Sequence, residues 1–593
     1  MIMKKYIVSL ITLVGLGSLG LTSCDLSVTN PTDVSSDTYW KTDKDVWSSL
    51  NDLYSALIPG CGIYSDTFSD DVRCPYPWES AGSTFQTNGL SSQQDMGYDF
   101  VSVRRANDVL EHLDQSGLTD ELKQRVRAEV RLLRAWNYAR MTLDFGKVPL
   151  LTDRLEYTER DIKRDDVAMV RKFVLDEMRE AASSLPKSYP GGYFQERSRL
   201  TCYAAYAMLA RTALNFGDYK LAEEAALKVM EGPFDLHKVD AIPAAAAPEV
   251  EQLRGLVDFA ALGLDEEAFI RGVYSYRSIW DAENVSPGSP ECILVREYLA
   301  GNADYTDLTR YTSMRPSQMV DGWSSVVPQQ TLIDAYWTAD GKPARIDITP
   351  AQRAKNWEAV TKLFEKSGES DFTKFANQLV SNGKYLDQDF FNEFRNRDPR
   401  LYASILFHFH RVADTDAGSS FIYRWMPAQN NESTTGYNFI KMVAKSTGTM
   451  LWGAYPTSEA NYPSIRFAEM LLTFAEAHTL NTGYDDRARA ALDRLRDRVG
   501  MPHVPVSLSQ EEALELIRNE RRIELAGEGF RLDDIRRYGN EYAEKYMNNV
   551  PVVRPDGETV LTMKWDKRMM LYPIPQTAID VNPLLKDDQN DGY

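Results

Sequence analysis

Apolar residues recur at three- and four-residue intervals, with charges between them, over Asp45–Ile58, Asp99–Leu113, Asp120–Phe145 and Asp166–Leu185. That spacing predicts amphipathic helices, because residues three and four apart share one helix face. Leu200–Phe216 and Lys220–Met230, separated by Gly217-Asp218-Tyr219, predict a helical hairpin. Ala204, Ala207 and Leu214 on its first arm meet Ala222, Ala226 and Val229 on its second, and the small alanines permit close approach. A second helical block is predicted over Ser464–Asn481, Asp486–Val499 and Gln510–Leu525. Between the blocks, over residues 231–463, the period is lost. That stretch holds Gly/Pro turns, short apolar runs such as ECILVREYL, and six of the eleven tryptophans: Trp280, Trp323, Trp337, Trp357, Trp425 and Trp452. Residues 234–262, with AIPAAAAPEVEQLRG, read as an exposed loop running into a helix. Irregular segments on a rigid scaffold are where binding groups collect.

The expected fold class is therefore mainly α. Tetratricopeptide-like hairpins form a scaffold from residues 40–230 and 464–540, and a loop-rich region spans 231–463. No Gly/Ser- or Pro-rich linker separates these parts, so residues 24–593 are expected to form one domain. At the start, Lys4 and Lys5 precede an apolar run from Ile7 to Leu21, shorter than the roughly 20 residues that span a bilayer. It reads as an export leader over residues 1–23. Leu21-Thr22-Ser23-Cys24 resembles the lipobox of bacterial lipoproteins, which makes Cys24 the expected lipidation site.

With 43% hydrophobic and 26% charged residues, the body reads as globular. Its net charge is −19, or −21 without the two leader lysines, and no basic stripe is offered to phosphates. That excludes nucleic acid as the expected partner. Of the cysteines after Cys24, only Cys61 and Cys74 are close enough to suggest a loop disulfide. His408 and His410 would share a strand face, but a metal site needs more ligands, so their role reads as structural and no metal or cofactor is expected. Asp587–Gly592 resembles a calcium loop without its distal glutamate and reads as a solvated acidic tail.

The C-terminal part carries the most telling motif. RNERRIELAGEGFRLDDIRRYGN, residues 518–540, resembles the signature of the SusD/RagB family, the surface nutrient-binding lipoproteins of Bacteroidetes. EVRLLRAWNYARMTLDFGKVPL, RLTCYAAYAMLARTALNFGDY and YPSIRFAEMLLTFAEA resemble further stretches of that family, as does the chain end YPIPQTAIDVNPLLKDDQNDGY. The family's usual Asn-Pro-Gly-Tyr ending stands here as Asn590-Asp591-Gly592-Tyr593. The resemblance implies a SusD-like fold and capture of nutrient oligomers, most often glycans. It also implies handover to a SusC-like TonB-dependent transporter in the outer membrane, with lipid anchoring at the cell surface. A peptide-binding, RagB-like member is the alternative, and the acidic Asp70-Asp71 could favour basic peptides.

The signature is rich in ionic residues, and Glu520, Glu524 or Glu528 could be taken for half of a hydrolytic pair. The reading favoured here is a partly buried salt-bridge network in which Arg521, Glu524, Glu528, Arg531, Asp534 and Arg537 reach one another and Gly527 and Gly529 turn a corner. No nucleophile motif or phosphate loop stands out, so a binding protein is expected and not an enzyme. Sugars need flat aromatic faces and planar polar side chains. DDVRCPYPWESAG supplies Arg73, Tyr76 and Trp78; YSYRSIWDAEN supplies Tyr276 and Trp280; VDGWSS supplies Trp323. These six are the expected ligand contacts, while Trp40, Trp47 and Trp136, at helical positions, read as packing.

Overall fold

The structure, a computed structural model, describes residues 39–155, 161–189, 198–286, 288–298, 309–319, 322–344, 346–382, 384–413, 420–427, 429–443, 449–451, 455–457 and 460–593. The leader, Cys24 and Trp452 lie outside the described residues. The first helical block comprises α1 (Asp43–Leu57), α2 (Phe100–His112), α3 (Asp120–Phe145), α4 (Val167–Ser184), α5 (Cys202–Phe216) and α6 (Tyr219–Met230). Three helices of the middle follow: α7 (Glu266–Arg277), α8 (Pro350–Ser367) and α9 (Phe372–Asn382). The second block comprises α10 (Phe467–Asn481), α11 (Asp486–Arg498), α12 (Gln510–Glu524) and α13 (Arg531–Tyr538).

Local chemistry sets the helix ends. Thr119 caps α3, Asp166 caps α4 and Asp218 caps α6, each accepting a backbone N–H of the first turn. Ser509 and Glu512 form a reciprocal capping box on α12. Gly217 ends α5 in the left-handed region (φ 84°) and turns the chain back into α6. Ala204, Ala205, Ala207, Ala222 and Ala226 are all 2% exposed or less, so the hairpin closes on small side chains as its spacing implies.

The two blocks are one stack. α3 packs on α4, α4 on α5 and α5 on α6, and α10 then lies directly on α6 with α11 and α12 on its other sides. A single apolar cluster runs through them, from Val46 and Leu132 to Phe474 and Leu516. Helix α10 begins at Phe467, later than the periodicity implied. Residues Tyr462–Arg466 are instead a strand, drawn out by antiparallel pairing with Cys292–Arg296.

The middle is more helical than its sequence suggests. Besides α7, α8 and α9 it holds Ala247–Leu256 and Pro399–Ser404, packed into a second aromatic core around Phe269, Phe391 and Phe407. Its strands are short antiparallel pairs of two strands each among the described residues. No disulfide joins Cys61 to Cys74: the Cys61 thiol lies 3.9 Å from the Met314 sulfur, and Cys74 points toward Tyr76 O at 3.8 Å. His408 and His410 are buried, which pushes their imidazoles down to about 3 and about 4. Their ring nitrogens face Trp425 N (3.1 Å) and Ile405 O (3.0 Å), a structural role. The acidic tail is tied down more than expected. Arg164 pairs with Asp588 (2.8 Å), and Asn590 donates to Phe145 O (3.0 Å) and Tyr572 O (2.8 Å).

A buried ionic network joins stack and middle. Glu524, fully buried at the end of α12, receives Arg466 (2.7 Å), Arg498 (2.6 Å) and Arg400 (3.1 Å). Around it Glu528 takes Arg466 and Lys441 (2.7 Å each), Glu291 takes Arg466 (2.9 Å) and Arg498 (3.2 Å), Glu520 takes Arg400 (2.6 Å) and Arg496 (3.2 Å), and Asp398 takes Arg400 (2.8 Å). Five cations thus face five carboxylates, and none of the ten is more than 8% exposed. Arg521 pairs with Asp534 (2.9 Å), not with Glu524 as its spacing allowed, and Arg537 closes onto Asp534 and Glu476. Gly62 passes so near the Gly527–Gly529 corner that a Cβ on it would sit 2.3 Å from Glu528 O.

Burial by itself would raise the Glu524 carboxyl, but Arg498, Arg466 and Arg400 hold it well below the ordinary carboxylate range. A carboxylate depressed in the folded state stabilises fully above its unfolded value and loses that contribution as pH falls below it. Glu524→Ala, which strands three guanidiniums, is expected to cost about 3–5 kcal/mol in urea unfolding at neutral pH. Its deficit against wild type should shrink as the pH is lowered below about 4, where the wild-type carboxylate begins to lose its advantage.

Candidate functional site

The loop Asp70–Gly82 leaves the scaffold through a strand and a clamp. β1 (Val72–Arg73) pairs antiparallel with β2 (Val327–Pro328), placing Arg73 opposite Val327. Below it, Asp70 and Asp71 are 0% and 1% exposed and are held by Arg522 (2.8 and 2.5 Å) and Arg531 (2.8 Å to Asp70). Burial would raise the Asp70 carboxyl, and the two guanidiniums bring it below its ordinary value. These aspartates are therefore spent on the scaffold and offer no charge to a basic peptide, which corrects that expectation. Gln86 and Gln329 both donate to Val72 O at 2.9 Å and finish the base.

Above the base, Glu79 N and Ser80 N both donate to Tyr76 O (3.0 Å), winding residues 76–80 into a tight turn. The turn projects Trp78, which at 75% is the most exposed large apolar side chain among the described residues. Its ring lies 5.6 Å from that of half-buried Tyr76, tilted by 33°. A large apolar face held open to water is expensive unless something covers it. Glu79 is the fastening. Its Oε1 accepts from Tyr64 OH and Ser325 OH, both at 2.8 Å, and Tyr64 OH also lies 3.1 Å from Ser313 Oγ.

Ser325 belongs to the segment that carries Trp323. Trp323 N donates to Thr312 O (2.9 Å), and Ser324 sits at φ +46°, a left-handed turn secured by Ser324 N to Arg315 O (2.9 Å). The fold thus brings Arg73, Tyr76 and Trp78 onto one loop and fastens beside it the loop of Trp323, nearly 250 residues away in sequence. Arg73 is half-buried; burial lowers its pKa, and its Nε and Nη1 have no protein partner among the described residues. An exposed indole on a clamped loop suits a polar ligand with an apolar face.

Two expected contacts lie elsewhere. Tyr276 and Trp280 are 0% and 4% exposed, at the end of α7 in the ionic core. Tyr276 OH donates to Glu524 O (2.5 Å) and accepts from Lys441 Nζ (2.8 Å), while the same ammonium lies 4.8 Å over the Trp280 ring. Burial pushes Lys441 down to about 8 despite Glu528 beside it. Both aromatics line the network's wall and present no face to a ligand. What sequence reading missed is the support: Tyr64, Glu79, Ser313 and Ser325. Two of them, Glu79 and Ser325, stand inside the quoted loop motifs, but nothing in their spacing marks them as partners.

A model described as the SusD family matches residues 290–593, just over half of the chain. The chain belongs to the SusD family. A second model, described as starch-binding and associating with outer membrane, matches residues 90–214. A relative named starch-binding protein SusD, from Bacteroides thetaiotaomicron, is 24% identical over 566 residues, which is 90% of this chain and 86% of that protein. Among solved structures, a SusD-like protein from Bacteroides fragilis is 25% identical with a TM-score of 0.71, covering 94% of this chain and 98% of its own. A SusD-like carbohydrate binding protein from the same species has a TM-score of 0.65 at 20% identity, covering 92% and 100%.

In this SusD family member the signature carboxylates Glu520, Glu524 and Glu528 are each gripped by buried cations, so they hold the frame. Above the β1–β2 pairing, Glu79 ties the Trp78 turn to the Trp323 loop through Ser325. Glu79→Ala removes the nearer acceptor of the Tyr64 and Ser325 hydroxyls, a cost of about 1–3 kcal/mol. Amide exchange in residues 72–80 and 312–326 is expected to quicken while α3 and α10 keep their protection.

Proposed function

We propose that this protein binds nutrient oligomers, glycans first among them, on the paired loops carrying Arg73, Tyr76, Trp78 and Trp323. One observation carries the reading: Trp78 stands open to solvent on a loop whose base is clamped by buried ion pairs. A rigid, exposed indole costs little ordering on binding and suits the C–H face of a pyranose. The starch-binding description of the family model over residues 90–214 and the name of the starch-binding relative support a carbohydrate ligand. The outer-membrane description supports attachment there, with Cys24 as the lipidated residue and the body from Cys24 onward acting as one domain at the cell surface. Acyl anchoring would hold the domain in the membrane plane and raise its effective concentration at a SusC-like transporter, to which it passes its ligand. The role is capture without chemical change of the ligand.

Affinity electrophoresis and calorimetry against a panel of polysaccharides and of peptides test this. At least one glycan is expected to bind, and Trp78→Ala is expected to weaken it about tenfold or more, as loss of an anchoring aromatic does. Binding of peptides alone, or release of reducing ends from the bound glycan at enzymatic rates, would overturn it. Loss of membrane attachment in Cys24→Ala tests the anchor separately.

A further inference from the structure

A cavity of 340 Å³ opens between α3, α5, the strand Tyr462–Arg466 and the corner after α12. None of Arg73, Tyr76, Trp78 or Trp323 lines it. Its charges are spent within the fold: Asp99 caps α2 by accepting Ser102 N (3.0 Å), and the others are held in ion pairs. Arg211 grips both oxygens of Glu469 (2.6 Å each), Arg140 grips Asp533 (2.7 and 2.9 Å), and Arg466 grips Glu528 (2.7 Å). The Arg211 guanidinium is further covered by the rings of Trp136 (5.4 Å) and Phe530 (4.7 Å), so no cation is left to draw an anion.

What the walls leave unspent is neutral. Asn137, 5% exposed, gives its Nδ2 to Asp99 O (2.8 Å). Asn215 Oδ1 is buried and has no partner among the described residues, and Thr212 beside it is 2% exposed. All three line the same cavity, from α3 and α5, beside the apolar surface of Trp136, Leu143 and Phe530. A buried amide oxygen without a partner is costly, so Asn215, with the amide and hydroxyl beside it, describes what completes the site. The complement is uncharged, carries both donors and acceptors, and has an apolar face. Small-molecule sites begin at roughly 300 Å³, which limits the occupant to about one ring.

We infer that this cavity is a second binding site, separate from the aromatic loops, for a single neutral sugar ring. The full chain, purified in detergent, is titrated with glucose, galactose, mannose and N-acetylglucosamine, and with glucuronate and glucosamine as charged counterparts. Calorimetry reads affinity, and hydrogen exchange reads protection of residues 136–143 and 211–215. At least one neutral sugar is expected to bind and to protect both segments. Asn215→Leu and the near-isosteric Thr212→Val, each checked for an unchanged circular dichroism spectrum and Tm, are expected to weaken it about fivefold to tenfold. Trp78→Ala is expected to leave it unchanged, which keeps this site distinguishable from the loop site. Three results would each overturn the inference: no neutral sugar protects the two segments, a charged sugar binds more tightly, or binding survives both cavity variants and disappears in Trp78→Ala.

Discussion

Glu524 sits fully buried among three guanidiniums, and the placement of every larger part of the molecule depends on that contact. Its partners come from three directions: Arg498 from the end of α11, Arg466 from the strand before α10, and Arg400 from the middle. Desolvated charges repay their burial only when geometry is good and remaining polar atoms are met. The five-against-five balance around Glu524 matches each carboxylate to at least one cation. An apolar seam of the same volume would tolerate repacking, whereas a matched ionic seam loses several contacts at once when one element slides.

From that seam the binding loops follow by a short path. Arg522 is two residues before Glu524 on α12, and Arg531 opens α13 just beyond the glycine corner. Together they hold Asp70 and Asp71, whose next residues enter β1 and then the Trp78 turn. The charged signature, which looks catalytic in isolation, is thus the mounting of the loop that carries the exposed indole. The exposed indole is the far end of a chain of buried ion pairs.

Most of the scaffold is legible in sequence because its information is local. The α3 boundaries, Asp120 and Phe145, and the alanine faces of α5 and α6 follow from period, capping and turn chemistry alone. The strand at Tyr462–Arg466 does not, because its extended form comes from a partner about 170 residues earlier. The helices of the middle escape for a related reason. They are buried on more than one side against a second aromatic core, so the one-sided apolar stripe that marks a surface helix is blurred. The same limit separates the six aromatic and arginine contacts expected of the site. Trp78 sits in a Pro-rich turn and is exposed, while Trp280 sits just past a helix and is enclosed by Lys441 and Arg466. Residue type is equal in the two cases; only the long-range packing differs.

One helical turn, Ile63–Asp66, joins all of these parts. Its Tyr64 fastens Glu79 of the aromatic loop, its Ser65 lines the cavity beside α3, and its Asp66 accepts Gly529 N (2.9 Å) and Arg531 N (3.0 Å) at the signature corner. Gly62, immediately before it, leaves no room even for a methyl group against that corner. A close-packed turn of four residues cannot shift one side chain far without carrying the others. The wall of the cavity and the footing of the exposed indole are therefore two faces of a single rigid piece. Its position is set by the same buried charges that align the helical blocks.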